Sequence, residues 1–176
     1  MAHLRKMLGS ADSPYILSLM RLIETQSKNT LVKWCLTYCE EDILPIFEKY
    51  CPSNSGPRRA LNSAKLWLGG KVKLAEVKDI ILNECHTAAR RLNSLPAAQA
   101  AARACGQAAS VIHAPTHSLG MAFYGSAAIA YDRVGTNLTA QEYDLIASQE
   151  CAKMEEALRK IAVYNETNPA KVNWYC

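Results

Sequence analysis

Apolar residues recur at three- and four-residue intervals along nearly the whole chain, and no stretch alternates with the two-residue period of a strand. The pattern predicts an all-α protein. A first helix is expected over about Pro14 to Gln26, with Ser13 as cap and Pro14 at the first helical position, where a missing N–H costs nothing. A second runs from Asn29 or Thr30 to about Tyr50, with Leu31, Trp34, Cys35, Tyr38, Leu44, Ile46 and Phe47 on its inner side. Pro45 removes one backbone donor and should kink it. Asp42 lies one turn beyond Tyr38 and one before Ile46, so it is expected on that inner side, where a carboxylate needs a partner. A third helix starts near Pro57 and stops at Gly69-Gly70, with Trp67 and Leu68 turned toward the core. A fourth spans about Leu74 to Leu92, with Val77, Ile80, Ile81, Leu82, Cys85 and Ala88 as its apolar stripe.

An Ala-rich segment follows Pro96, and its small side chains permit close approach of neighbouring helices. From Ala104 to Tyr131 the chain holds no Asp, Glu, Lys or Arg. That is the mark of an interior segment, and Gln107, Ser110, His113, Pro115, Thr116, His117 and Ser118 make it too polar for a membrane span. Pro115 leaves two outcomes open: one kinked helix to Tyr131, or a break near Ala114 and a restart. Gly135 ends the segment. A last helix is expected over about Ala140 to Val163, with Thr139 and Glu142 forming a capping box. Its inner face carries Tyr143, Ile146, Ala147, Cys151, Met154, Leu158 and Ile161. Residues 1–12 and 165–176 are expected to be loosely ordered, with Trp174 and Tyr175 as anchors that can dock. The whole, residues 1–176, reads as a single domain: a compact bundle of six or seven helices around the Ala-rich one.

Composition changes this picture little: 49% of residues are hydrophobic and 20% charged, as in ordinary globular proteins. Charge matters more. The net value of +4 is concentrated in residues 51–103, which hold nine basic and three acidic groups. Arg58, Arg59, Lys65, Lys71 and Lys73 surround the third helix, with Trp67 among them. No nucleic-acid motif accompanies them, so the stripe reads as a solvated basic face and nucleic acid is not expected as a partner. Seven cysteines are scattered without a CxxC pair, and their positions on apolar helix faces suit small hydrophobes of a reduced, cytoplasmic protein. No targeting signal or membrane anchor is visible.

The candidate chemistry centres on imidazoles. His113 and His117 share a helix face if the helix is continuous, and an HxxxH pair can bind a divalent metal. His86 is the candidate third ligand and Asp42 a candidate carboxylate, a set that would suit zinc or nickel. The competing reading makes these histidines neutral core groups, with no cofactor. No E-x-x-H motif supports a dimetal site, and Cys85 beside His86 is no dyad, because helix neighbours point about 100° apart. Catalytic residues are not assigned.

Several strings occur together in fixed order: Tyr38-Cys39-Glu40-Glu41-Asp42-Ile43-Leu44-Pro45-Ile46-Phe47-Glu48, Pro57-Arg58-Arg59-Ala60-Leu61, Lys65-Leu66-Trp67-Leu68-Gly69-Gly70, His86-Thr87-Ala88-Ala89-Arg90, and Ala101-Ala102-Arg103-Ala104-Cys105-Gly106-Gln107-Ala108-Ala109 leading to His113, His117, Gly120 and Tyr124. Over about Leu31 to Arg133 the chain resembles the Imm-5-like family, small bacterial all-α proteins assigned as immunity proteins of polymorphic toxin systems. The resemblance implies a helical cytoplasmic protein that neutralises a cognate toxin by binding it, without catalysis. Interior histidines suggest a pocket instead, and the alternative is a metal- or small-ligand-binding enzyme or sensor with Asp42, Trp67, His86, His113, His117 and Tyr124 around its site. A homodimer is compatible with either.

Overall fold

In the computed structural model, which describes residues 4–174, seven continuous helices carry the chain, and no strand occurs among the described residues. They are α1 (Pro14–Ile23), α2 (28–50), α3 (Gly56–Leu68), α4 (74–90), α5 (Pro96–Ser110), α6 (His117–Val134) and α7 (Ala140–Ile161). Most start signals act where the sequence placed them; Ser13 stands at the cap position of α1 but its side chain makes no cap hydrogen bond, and α2 begins at Lys28, ahead of the expected Asn29 or Thr30. Proline occupies the first turn of α1, α3 and α5. The Thr139 hydroxyl accepts from Glu142 N–H, and the Glu142 carboxylate accepts from Thr139 N–H (2.7 Å), so the capping box of α7 is formed. Ser27 caps α2 by accepting from Thr30 N–H (3.3 Å).

The Ala-rich α5 is the centre, touching α2, α3, α4 and α6, with its most extensive contact along α6. Eleven of its fifteen residues are buried, all of them Ala, Gly, Ser or Cys. Small side chains bring the axes together, and the close packing supplies the dispersion contacts that alanines individually lack. Of the two outcomes open at Pro115, the helix breaks. It ends at Ser110 and restarts at His117, because Pro115 disfavours the helical conformation at Ala114 and has no N–H to donate.

Two of the helices are interrupted by a single wide π turn. In α2 it covers Cys39–Ile43, where Leu44 N–H reaches back five residues to Cys39 C=O. In α4 it covers Ile81–Cys85, where His86 N–H bonds Ile81 C=O. Each wide turn delays the helix by about one residue and rotates the downstream segment about the axis. The first lies immediately before Pro45, so the kink expected there takes the form of a bulge. Two expectations along these helices are overturned. Asp42 is exposed, while Ile43 takes the buried position. Leu82 is 56% exposed, and Ile81 and Cys85 carry the core contact instead. At the end of α7, Ile161 is also exposed, since the helix there outruns the body it packs on.

The flanking segments pack against the bundle. Leu8 is buried and its N–H donates to Phe123 C=O (3.3 Å). Beyond α7, Ala170 N–H donates to Gln26 C=O (2.8 Å) and the Trp174 indole N–H to Glu24 Oε1 (2.6 Å). Tyr175, the other expected anchor, lies outside the described residues.

One buried charge was not anticipated. Glu150 of α7 is 2% exposed, and its Oε1 accepts from Arg133 (3.0 Å) at the end of α6 and from Lys153 (2.9 Å) one turn on. A buried carboxylate persists only when paired, and here two half-exposed cations cover it. Glu150→Gln keeps the volume and removes the charge. It should lower the unfolding free energy by about 1–3 kcal/mol, the range for charged hydrogen bonds, measured by urea denaturation; an unchanged midpoint would show that the pairs contribute nothing.

Candidate functional site

The buried character of α5 has one interruption. Gln99, Arg103 and Gln107 are only partly buried and lie four residues apart, so they form one stripe along the helix. A charge in the middle of a helix otherwise made of alanine must emerge somewhere, and this stripe faces the seam where α4, α5 and α6 meet. There a cavity of about 190 Å³ is lined by His86, Ala89, Arg90, Arg103, Gln107 and Tyr124.

Each lining side chain is placed by its own helix. The wide turn in α4 ends at Cys85 and swings the His86 ring onto α5 at Gly106. A Cβ on Gly106 would stand 2.6 Å from His86 Cε1, so only glycine admits the ring. Gly120 does the same for Gln107, whose amide lies where a side chain on α6 would begin. Gln107 is held by His117, with Nδ1 and Oε1 2.8 Å apart. With the amide oxygen as acceptor, Nδ1 carries the hydrogen and the amide N–H₂ is left facing away. The Arg103 guanidinium stacks on the Tyr124 ring at 5.7 Å, a cation–π contact. Arg90 donates to Thr87 Oγ1 (2.7 Å) at the rim.

Of the six residues expected around one pocket, the structure brings His86 and Tyr124 together and attaches His117 through Gln107. His113 sits edge-on to His117, ring centroids 5.2 Å apart, but on the turn between α5 and α6, where it is exposed rather than interior. The two do not share one helix face, because the helix breaks between them. Asp42 is elsewhere, on a groove of about 450 Å³ between α2 and α7 with Tyr38, Lys153 and Lys160. Trp67 is half-buried beneath Lys28, whose Nζ is 5.8 Å from the ring. Of the histidines expected as metal ligands, His113 and His117 are in ring contact, and His86 stands apart on α4. Among the described residues no three His, Cys, Asp or Glu side chains are placed to hold a metal ion. Cys85 is occupied: its thiol donates to Ala102 C=O (3.1 Å), and burial pushes its pKa up, away from a reactive thiolate.

Arg103 and Gln107 were missed as site residues. The signal was present, since a helix of alanines with polar residues only at intervals of four advertises one wet stripe. The basic stripe of α3 behaves differently. Arg58 pairs with Glu48 (2.6 Å), Arg59 with Glu84 (2.6 Å) and Lys65 with Glu40, so most of that face is neutralised.

All three imidazoles are held below the usual histidine pKa of 6.5. Loss of water is the first cause for each, through partial burial at His86 and His117 and through the partly covered ring of the otherwise exposed His113. Arg90, His117 and Arg103 add repulsion at His86, and His117, Lys78 and Lys28 at His113. Below pH 6.5 the unfolded chain then binds more protons than the folded one, so stability is full above that value and falls as pH drops through it toward the lowered folded values. Urea midpoints should be lower at pH 5.5 than at pH 7.5, by less in His86→Gln; equal midpoints would contradict the burial of the rings. Gly106→Ala should cost about 1 kcal/mol despite alanine's better helix propensity, because overpacking at His86 outweighs it. A gain in urea midpoint would show that the ring moves aside freely.

The comparisons with known proteins fit this architecture. No curated protein and no solved structure matches the chain significantly. A family model, Imm-5 like putative immunity protein, matches residues 21–157, from the end of α1 through most of α7, and so takes in every helix that frames the Arg103 seam. With that much of its length matched, the chain belongs to the Imm-5 like putative immunity protein family.

Proposed function

We propose that this protein is an immunity protein that binds a cognate toxin and neutralises it without catalysis. The family match over residues 21–157 carries the reading. Two structural observations agree with it. Helices α4 and α5 present Arg90, Arg91 and Arg103, which form no ion pair among the described residues, whereas most of the α3 cations are paired internally. Cations left unpaired on one face are available for complementary charge on a partner and speed its approach. The bundle beneath that face is densely packed, so the surface is presented by a rigid scaffold.

A second reading, a small-ligand sensor, has one observation in its favour: the cavity that gathers His86, Arg103, Gln107 and Tyr124. Stoichiometry separates a binder from an enzyme. Purified toxin titrated with this chain should lose activity linearly and completely at a one-to-one ratio, and the two should co-migrate as a complex in size-exclusion chromatography. Protection at a small fraction of one equivalent would mean turnover and would contradict the binding reading. A large thermal shift with zinc or nickel, in the absence of any toxin effect, would favour the sensor.

A further inference from the structure

The cavity at the α4–α5–α6 seam holds hydrogen-bond donors and no acid. Arg103 makes no hydrogen bond or ion pair with any described residue; its one contact of note is the face of Tyr124. The His86 ring also lacks a hydrogen-bond partner among the described residues, and the Gln107 amide nitrogen donates to none of them. Elsewhere the chain uses its acidic residues on arginines: Arg58 has Glu48, Arg59 has Glu84, Arg133 has Glu150, and Arg159 has Glu155. A partly buried guanidinium without a counter-charge is costly to keep, and this one sits on the only wet stripe of the central helix.

We propose that this cavity is an oxyanion-binding site, taking a phosphoryl or carboxylate group on Arg103, with Arg90 at the rim and the Gln107 amide and His86 as further donors. The chemistry fits the fork of an arginine, which presents paired N–H groups to two oxygens of one anion. The size fits as well. At 190 Å³ the cavity is smaller than the roughly 300–1,000 Å³ of clefts for drug-sized ligands, so it admits one charged group rather than a whole large molecule. Arg103 also lines a second cavity of about 320 Å³ on its other side, where Arg5 and Lys6 stand and again no carboxylate does. A ligand larger than one oxyanion would meet further cations in that direction. His86 reports occupancy, since it is now kept neutral by burial and by the nearby Arg90, His117 and Arg103, and an anion offsets that repulsion.

The test is an NMR titration of the whole chain at pH 7 and constant ionic strength, following the His86 ring signals, with inorganic phosphate in one arm and acetate in the other. Saturable shifts are expected, with His86 taking up its proton at higher pH in the bound form. Arg103→Gln should weaken binding at least tenfold, the scale of a lost charged hydrogen bond. Arg90→Gln, at an exposed position, should weaken it several-fold and keeps the test valid should Arg103→Gln fold poorly. Lys33→Gln, on the exposed side of α2, should leave it unchanged. Response to phosphate alone assigns a phosphoryl ligand, and response to acetate alone assigns a carboxylate. No saturable shift with either anion, or equal weakening in Lys33→Gln, overturns the site. That failure would leave the toxin reading standing, because inhibition of the toxin is read separately.

Discussion

Burial of α5 is the constraint on which the rest of this structure depends. A helix surrounded by four others must be made of small residues, and it must bring any polar side chain out along one line. Eleven buried positions satisfy the first demand, and Gln99, Arg103 and Gln107 satisfy the second. The neighbours are then obliged to leave a seam. Gly106 and Gly120 widen it just enough for one imidazole and one amide, so the site is a consequence of how the central helix is packed.

Electrostatics divides the surface in the same spirit. Glu48, Glu84, Glu40 and Glu150 are each spent on a basic side chain within the bundle, and these pairs fix helix against helix. The exposed pairs of Glu48, Glu84 and Glu40 contribute little stability individually, about 0–1 kcal/mol, unlike the buried Glu150. Arg90, Arg91 and Arg103 of α4 and α5 take part in no such pair among the described residues.

Much of the fold was readable beforehand because its signals are local. Prolines at the first turns, Thr139 as a cap, and Gly135 as a stop mark helix ends in the sequence itself. The site was half readable. His86, His117 and Tyr124 fall where interior chemistry was sought, but Asp42, Trp67 and His113 do not. Each miss has a cause. A π turn inserts one residue into a helix without a sequence mark of its own, so periodicity counted through it places Asp42 on the wrong side, whereas Leu82, five residues beyond the buried Val77, is off the stripe by helical period alone. The Pro115 break removed the one helix face on which His113 and His117 would have stood together. Arg103 was overlooked because it stands just outside the charge-free stretch that begins at Ala104.

The central claim is that Arg103 is kept for an external partner and not for the fold. Urea denaturation of Arg103→Met tests it most directly, since methionine retains much of the side-chain stem and discards the charge. The account predicts stability equal to or above that of the parent, to within about 1 kcal/mol for the lost cation–π contact. A loss of about 3 kcal/mol or more would show that the guanidinium holds the bundle together, and would contradict the assignment of the seam to binding.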